Sequence, residues 1–116
     1  MKDGYKTFQI ITDKNNDRAI SFYKSFDLPV SIIRPFNTYG PRQSERAVIP
    51  TIISQYLKSK KFLNIGSIDT VRDFTFVTDT AKAFALAINS NAAIGEIINL
   101  GTSYGISIKE IIKMIS

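Results

Sequence analysis

The sequence predicts an α/β fold in which short, buried strands of a largely parallel sheet alternate with amphipathic helices. Two observations support this prediction. Apolar, mainly β-branched runs of strand length, such as residues 30–33 and 97–100, are closed by polar loops or glycines. Between such runs, apolar residues recur at the i, i+3, i+4 and i+7 spacing of a helix that buries one face. This alternation is typical of layered α/β domains.

The first predicted elements are a helix and a buried strand. Residues 17–26 carry four apolar side chains on one helical face, which should pack on a sheet: Ala19, Phe22, Tyr23 and Phe26. Leu28 should end the helix, because a residue that precedes proline is pushed out of the α region. A strand over residues 30–34 follows. Residues 1–9 show no clear period and support no prediction.

The middle of the chain is predicted to form one helix and two strands. The helix covers residues 50–59, with Pro50 in its first turn, where the missing N–H costs no hydrogen bond. Residues 62–65 and 74–77 are predicted as strands, joined by a polar connection over residues 67–73.

The last third is predicted to contain helix, strand and helix. Thr78 or Asp79 should cap a helix that stops near residues 89–91. This helix is predicted to bury four residues: Ala81, Phe84, Ala85 and Ile88. A strand over residues 97–100 ends at Gly101. Ser107 and Glu110 then form a capping-box pattern ahead of a helix with four apolar residues on one face: Ile108, Ile111, Ile112 and Ile115.

Composition narrows the function classes. The 116 residues are 44% hydrophobic, which is enough for one modest core, and they include no cysteine and no histidine. We therefore expect no disulfide, no thiolate chemistry and no metal site. The net charge is +5, but only Lys58, Lys60 and Lys61 cluster, which predicts a solvated helix end and no nucleic-acid partner. No apolar run resembles a signal peptide or a membrane span, so a cytoplasmic location and no membrane partner are expected.

A polar segment follows the predicted strand over residues 30–34. In open α/β sheets, ligands bind beyond the carboxyl ends of the strands, and this position would hold Asn37 and Arg42 in a loop. An amide and a planar guanidinium suit a polar anion such as phosphate. The alternative is an ordinary turn at Gly40 and Pro41.

Three segments resemble a known family, in the order in which that family has them. They are RPFNTYGPRQSERAVIPTIISQ (34–55), RDFTFVTDTAKAF (72–84) and INLGTSYGISIKEI (98–111). They resemble the extended short-chain dehydrogenase/reductases of the NAD-dependent epimerase/dehydratase family, and most of all its nucleotide-sugar 4,6-dehydratases. The resemblance covers residues 17–116. It implies a single partial domain over residues 1–116, namely the C-terminal part of a Rossmann-like doubly wound sheet with the smaller substrate-binding subdomain.

The resemblance also implies roles for individual residues. Arg72 would contact the diphosphate of a nucleotide sugar, Asn37 would contact the substrate, and Pro35 and Phe36 would lie beside the nicotinamide of NAD. The other substrate-binding positions are Arg42, Val48, Pro50 and Asn99, with residues 48–50 near the base and Asn99 beside the nucleotide. Ile98 stands where the family has a tyrosine, and a buried strand asparagine is the alternative for Asn99. For Arg72 with Asp73, the alternative is an exposed ion pair next to a strand.

The family's cofactor and catalytic signatures are not matched. The glycines, at positions 4, 40, 66, 95, 101 and 105, nowhere give the G-x-x-G-x-x-G spacing that cradles the phosphates of NAD. The family's catalytic tyrosine stands four residues before a lysine and should precede Phe22, where Lys14 has Ile10 in that position. Tyr56 and Lys60 copy the spacing, but they follow the 34–42 segment and Tyr56 lies on an apolar helix face, so we interpret them as a chance match. No catalytic residue is assigned.

The predicted function is the substrate-binding part of an NAD-dependent nucleotide-sugar 4,6-dehydratase that is inactive alone. The whole enzyme would oxidise the sugar at C4, eliminate water across C5 and C6, and return the hydride to C6. A 4-epimerase fragment, or a non-catalytic remnant or binding module, are the alternatives. Half of a parallel sheet should expose a strand edge and apolar helix faces, so we expect self-association or completion by a chain carrying the N-terminal half.

Overall fold

The computed structural model describes residues 7–10, 17–26, 29–59 and 62–116. These form six strands and four helices, which are in chain order β1 (Thr7–Ile10), α1 (Asp17–Ser25), β2 (Val30–Pro35), β3 (Asn37–Tyr39), α2 (Val48–Lys58), β4 (Val71–Phe76), α3 (Val77–Ile88), β5 (Ile97–Leu100), β6 (Gly105–Ser107) and α4 (Ile108–Ile115). A single 3-10 turn, Asn91–Ala93, follows α3. Over the described ranges, no helix is long and apolar enough to cross a membrane.

The chain divides into two compact units. Unit 1 comprises Met1–Phe36 and Thr78–Leu100, and unit 2 comprises Asn37–Val77 and Gly101–Ser116. Each unit has its own three-stranded sheet.

Unit 1 is a parallel sheet with the strand order β1-β2-β5. The central strand β2 is apolar on both faces, and each face is covered by different elements. On one face, Val30 and Ile32 pack against α1. On the other face, Ile33 packs against Ala87 of α3 and Ala93 of the 3-10 turn. Helices on both faces of a parallel sheet make this a partial Rossmann-like, doubly wound α/β arrangement, as the sequence predicted.

Two helices of unit 1 bury other residues than the pattern predicted. In α1, Ala19, Ile20 and Tyr23 pack on the sheet, whereas the predicted core residues Phe22 and Phe26 are 55% and 62% exposed.

The buried residues of α3 are Thr80 and Ala87, Phe84 packs in the cluster that contains Ala87, and Ala81, Ala85 and Ile88 are exposed. Apolar residues surround most of α3, so their spacing does not select one face.

Unit 2 is a mixed sheet with the order β3-β4-β6, in which β3 pairs parallel and β6 antiparallel with β4. Helices α2 and α4 supply its core, where Ile52 is fully buried and Ile108 and Ile111 are 4% and 7% exposed. The predicted capping box is confirmed. The Ser107 N–H donates to Glu110 Oε2 at 2.8 Å and the Glu110 N–H donates to Ser107 Oγ at 3.2 Å.

The predicted strand over residues 62–65 is wrong. Leu63 and Ile65 do pack against the core of unit 2, but the segment has no strand pairing. The side-chain amide of Gln55 replaces a neighbouring strand: its Nε2 donates to Asn64 O at 2.9 Å, and its Oε1 accepts from Asn64 N at 2.6 Å. Both backbone groups of Asn64 are thereby satisfied.

The boundaries of β4 and α3 also differ from the prediction. Strand β4 begins at Val71, so Arg72 and Asp73 lie in a strand and not in a polar connection. Helix α3 begins at Val77 directly after β4, which puts Thr78 and Asp79 inside its first turn and rules out their predicted capping role. Likewise, Asn37 is the first residue of β3 and does not lie in a loop. The prediction for Leu28 lies outside the described residues.

Candidate nucleotide-sugar site

Two of the segments that resemble the family, 34–55 and 72–84, meet in unit 2 at Asn37 and Asp73. Asn37 pairs in register with Phe74 across β3 and β4, and its carboxamide Nδ2 donates to the main-chain oxygen of Asp73 at 2.9 Å. A side-chain amide has a second N–H and an oxygen, so Asn37, which is exposed, keeps donor and acceptor capacity for a ligand. The hydrogen bond holds Asn37 beside the residue that follows Arg72.

Arg72 is exposed on β4, and its Nη1 donates to the neighbouring Val71 oxygen at 2.9 Å. Side chains alternate along a strand, so Arg72 and Asp73 point to opposite faces. The carboxylate of Asp73 accepts instead from Thr102 and Ser103. Within the described part of the chain, Lys82 and Asp79 form an ion pair, whereas Arg72 and Asp73 do not. The alternative of an Arg72–Asp73 surface pair is therefore wrong.

Hydrogen bonds to the carboxylate of Asp73 lower its pKa. The hydroxyl of Thr102 is the main cause, with the N–H groups of Thr102 and Ser103 adding to it, and together they hold the pKa of Asp73 below its usual value. The side chain of Asp73 is therefore ionised at neutral pH.

A cavity of about 580 Å³ in unit 2 contains two more of the predicted residues. Arg42 and Pro50 line it together with Tyr39, Leu57 and Phe76. Arg42 is exposed and has a φ of 67°, in the left-handed region that turns chains sharply. Val48 does not line this cavity, because it packs against the core of unit 2.

Gly40 shapes the same wall of the cavity. A Cβ at this position would lie 2.5 Å from Val77 Cγ1, which is closer than two non-bonded carbon atoms approach each other. Glycine therefore permits the tight passage of the 40–43 turn over the end of β4, where Gln43 N donates to Gly40 O at 3.3 Å.

Arg72 and the cavity are separated along one strand. Arg72 and Phe76 are four residues apart on the same face of β4, which corresponds to roughly 13 Å at the usual rise per strand residue. A ligand that reaches both must be extended, with an anionic group near Arg72 or Arg42 and an apolar portion in the cavity.

Comparison with known proteins identifies the family. The family model described as "NAD dependent epimerase/dehydratase family" matches residues 17–101. The chain belongs to this family.

Individual relatives of the epimerase/dehydratase family include both dehydratases and epimerases. The dTDP-D-glucose 4,6-dehydratase of Dictyostelium discoideum is 37% identical over 82% of this chain and 22% of its own length. Among solved structures, dTDP-glucose 4,6-dehydratase from Bacillus anthracis in complex with NAD has 31% sequence identity to this chain. The TM-score is 0.76, and the match covers 86% of this chain and 32% of the dehydratase.

The structure of UDP-glucuronic acid 4-epimerase from Bacillus cereus with UDP-glucuronic acid and NAD is 27% identical. Its TM-score is 0.81 over 95% of this chain and 44% of the epimerase. The chain thus spans less than half the length of the family members that it matches.

The remaining predicted residues of the epimerase/dehydratase pattern lie in unit 1, at the carboxyl ends of two parallel strands. Pro35 pairs in register with Leu100, and the Phe36 N–H donates to Leu100 O at 2.9 Å. The ring of Phe36 is 49% exposed. Asn99 pairs with Arg34 and is exposed, so the alternative of a buried strand asparagine is wrong.

Our interpretation of the Tyr56 and Lys60 spacing as a chance match stays a prediction. The hydroxyl of Tyr56, on α2, donates to the Ser116 oxygen at 3.2 Å. Lys60 and Lys61 lie outside the described residues, as do Lys14 and its surroundings at 11–16.

Sequence reasoning missed that Thr102 and Ser103 donate hydrogen bonds to the carboxylate of Asp73. No local pattern marks them, because their partner Asp73 is 29 and 30 residues away in the chain.

Proposed function

We propose that this chain is the C-terminal, substrate-binding part of an NAD-dependent nucleotide-sugar 4,6-dehydratase and is inactive alone. The observation that carries the proposal is the hydrogen bond from Asn37 to the Asp73 main chain, which joins the two motifs of the family beside an exposed Arg72. Guanidinium and amide groups at one point of a sheet suit a phosphate-bearing ligand.

The proposed ligand contacts in unit 2 follow from this geometry. Arg72 donates to the diphosphate, and Asn37 uses its second amide N–H or its oxygen for the substrate. Arg42 adds a second cation at the rim of the cavity, whose apolar lining with Pro50 and Tyr39 suits a base. Val48 acts indirectly, since it packs in the core and orients the start of α2.

The proposed contacts in unit 1 are with the cofactor and the nucleotide. The half-exposed ring of Phe36 and the adjacent Pro35 offer an apolar surface that fits the nicotinamide of NAD, the group that accepts and returns hydride in such enzymes. Asn99 is exposed and offers an amide to the nucleotide. The sequence has no glycine-rich phosphate cradle, so we propose that residues outside this sequence complete the cofactor site.

A nucleotide-sugar 4-epimerase is the second candidate, because relatives of both reaction types match the chain. The products distinguish them. In a complex with a chain that supplies the glycine-rich half, a dehydratase converts the C6 hydroxymethyl group of the sugar to a methyl group, whereas an epimerase inverts C4. Proton NMR of the product separates the two outcomes, and no product of either kind supports a binding module.

Replacing Arg72 tests the binding site by titration calorimetry with dTDP-glucose and UDP-glucose. Arg72→Ala should weaken binding by about 1.5–3 kcal/mol, the range for a charge-assisted hydrogen bond, which corresponds to about 10- to 150-fold. Arg72→Lys should recover part of the loss, because it keeps the charge but loses the planar fork of donors.

The matched control is Arg18→Ala, which removes an exposed arginine from α1 in unit 1 and should leave the affinity unchanged. Equal affinities of the wild type and Arg72→Ala would refute the proposed diphosphate contact. A wild-type chain that binds neither nucleotide sugar would refute the proposed function.

A further inference from the structure

One carboxylate holds the segment after β5 onto β4. Asp73 Oδ1 accepts from the Thr102 N–H at 3.0 Å and from the Thr102 hydroxyl at 2.6 Å, and Oδ2 accepts from the Ser103 N–H at 2.8 Å. The Tyr104 N–H in turn donates to the Thr102 hydroxyl oxygen at 3.1 Å. Asp73 thus binds Thr102 and Ser103 directly and Tyr104 through Thr102, and we call residues 102–104 the clasped loop.

The backbone of the clasped loop requires this support. Ser103 has a φ of 62°, in the left-handed region that residues other than glycine adopt at a cost. Such a conformation persists where surrounding contacts determine it. Here the two carboxylate oxygens fix the consecutive N–H groups of Thr102 and Ser103, and charge-assisted hydrogen bonds are stronger than neutral ones.

Asp73 also connects the clasped loop to the proposed ligand contacts. Its main-chain oxygen accepts from Asn37, and it directly follows Arg72. The loop side chains Thr102 and Tyr104 line a second cavity of unit 2, of about 410 Å³, and Tyr104 is 69% exposed. A single residue thus joins the start of β3, the arginine strand and a cavity wall.

The orientation of Asp73 leaves the adjacent arginine available. Strand alternation puts the Asp73 carboxylate on the face of β4 opposite to Arg72. There its oxygens accept three hydrogen bonds from the clasped loop, which hold the carboxylate away from the guanidinium.

We propose that Asp73 is a positioning residue of the nucleotide-sugar site: its carboxylate binds the clasped loop and is held away from Arg72, which stays free for the diphosphate, and its main-chain oxygen holds Asn37 beside that arginine. This inference rests on the proposed function. It assigns to Asp73 no contact with the ligand.

The test compares Asp73→Asn with the wild type in two measurements. An asparagine keeps the size of the side chain, but its NH₂ group would face the donors of the clasped loop. We expect the affinity for UDP and for dTDP to fall about tenfold by calorimetry. We also expect amide hydrogen exchange to accelerate at residues 102–104 while the amides of α2 and α4 stay protected, which excludes general unfolding of unit 2.

Two variants of Thr102 keep the test decisive if Asp73→Asn does not fold. Thr102→Val removes only the hydroxyl donor and should weaken nucleotide binding about threefold, whereas Thr102→Ser keeps the donor and should bind like the wild type. Asp79→Asn, which removes an exposed carboxylate in α3 that pairs with Lys82, is the matched control and should change neither measurement.

The outcomes separate this inference from the function on which it rests. A wild-type chain that binds neither UDP nor dTDP would overturn both. Binding that is unchanged in Asp73→Asn and Thr102→Val would overturn the positioning role alone, whether or not hydrogen exchange shows the clasped loop opened.

Discussion

Replacing Ile52 by alanine should severely destabilise unit 2. Ile52 lies in α2, is fully buried, and packs with Ile108 and Ile111 of α4. The substitution removes three carbon groups, worth about 0.8 kcal/mol each in lost burial, or about 2.4 kcal/mol together. The cavity left behind adds to this cost, so the expected loss is about 2–5 kcal/mol.

The adjacent residue provides a matched control. Ile53→Ala deletes the same atoms from the same helix, but Ile53 is 41% exposed, so the expected loss is about 1 kcal/mol or less. Urea unfolding followed by circular dichroism measures both variants. The midpoint should fall much further for Ile52→Ala, with the slope unchanged. Equal losses in the two variants would refute the assignment of Ile52 to the core of unit 2.

Two further predictions concern the capping box and the isolated chain. Ser107→Ala should cost about 0.5–2 kcal/mol of unfolding free energy, because it removes the cap of α4. Hydrogen bonds from Ser107 lower the pKa of Glu110, so the stabilisation is complete above the ordinary value of 4.5 and is lost as pH falls through the lowered folded pKa. Acid titration should show a smaller stability loss in Ser107→Ala, and identical acid profiles would contradict the assignment. The chain alone should bind no NAD in calorimetry, and a micromolar dissociation constant, about −8 kcal/mol, would reveal a missed cofactor site. On size exclusion it should elute above its 13.0 kDa monomer mass, since large apolar side chains such as Leu57 and Leu86 are 79% and 72% exposed, and a monomer with a sharp melt would count against self-association.

Elements whose sequence signals are local were predictable from the sequence. Strand β5 matches residues 97–100, and α4 begins directly after Ser107, because both signals lie within a few residues. The three-residue strands β3 and β6 were not predicted. They exist through pairing with β4, and three residues are too few to show a period of two.

The candidate site was predictable only in part for the same reason. Resemblance to the family pointed to Arg72 and Asn37, and the structure places Asn37 against Asp73, the residue after Arg72, while their contacts with a ligand stay a prediction. The contacts of Asp73 were not accessible, because hydrogen bonds over 29 residues of chain leave no local signal. The exposed Phe22 shows the converse error, in which correct helical spacing overestimates the width of the buried face.

Deamidation of Gln55 would weaken the contact between α2 and the segment around Asn64. Its amide both donates to and accepts from the backbone of Asn64, and an amide is the one side-chain group that can do both in that geometry. Deamidation to glutamate would add only about one mass unit, yet it would turn an oxygen toward the Asn64 carbonyl in place of an N–H. The segment that carries Leu63 and Ile65 would then keep the hydrogen bond from Asn64 N but lose the one to Asn64 O, and two oxygens would face each other at the edge of the core of unit 2.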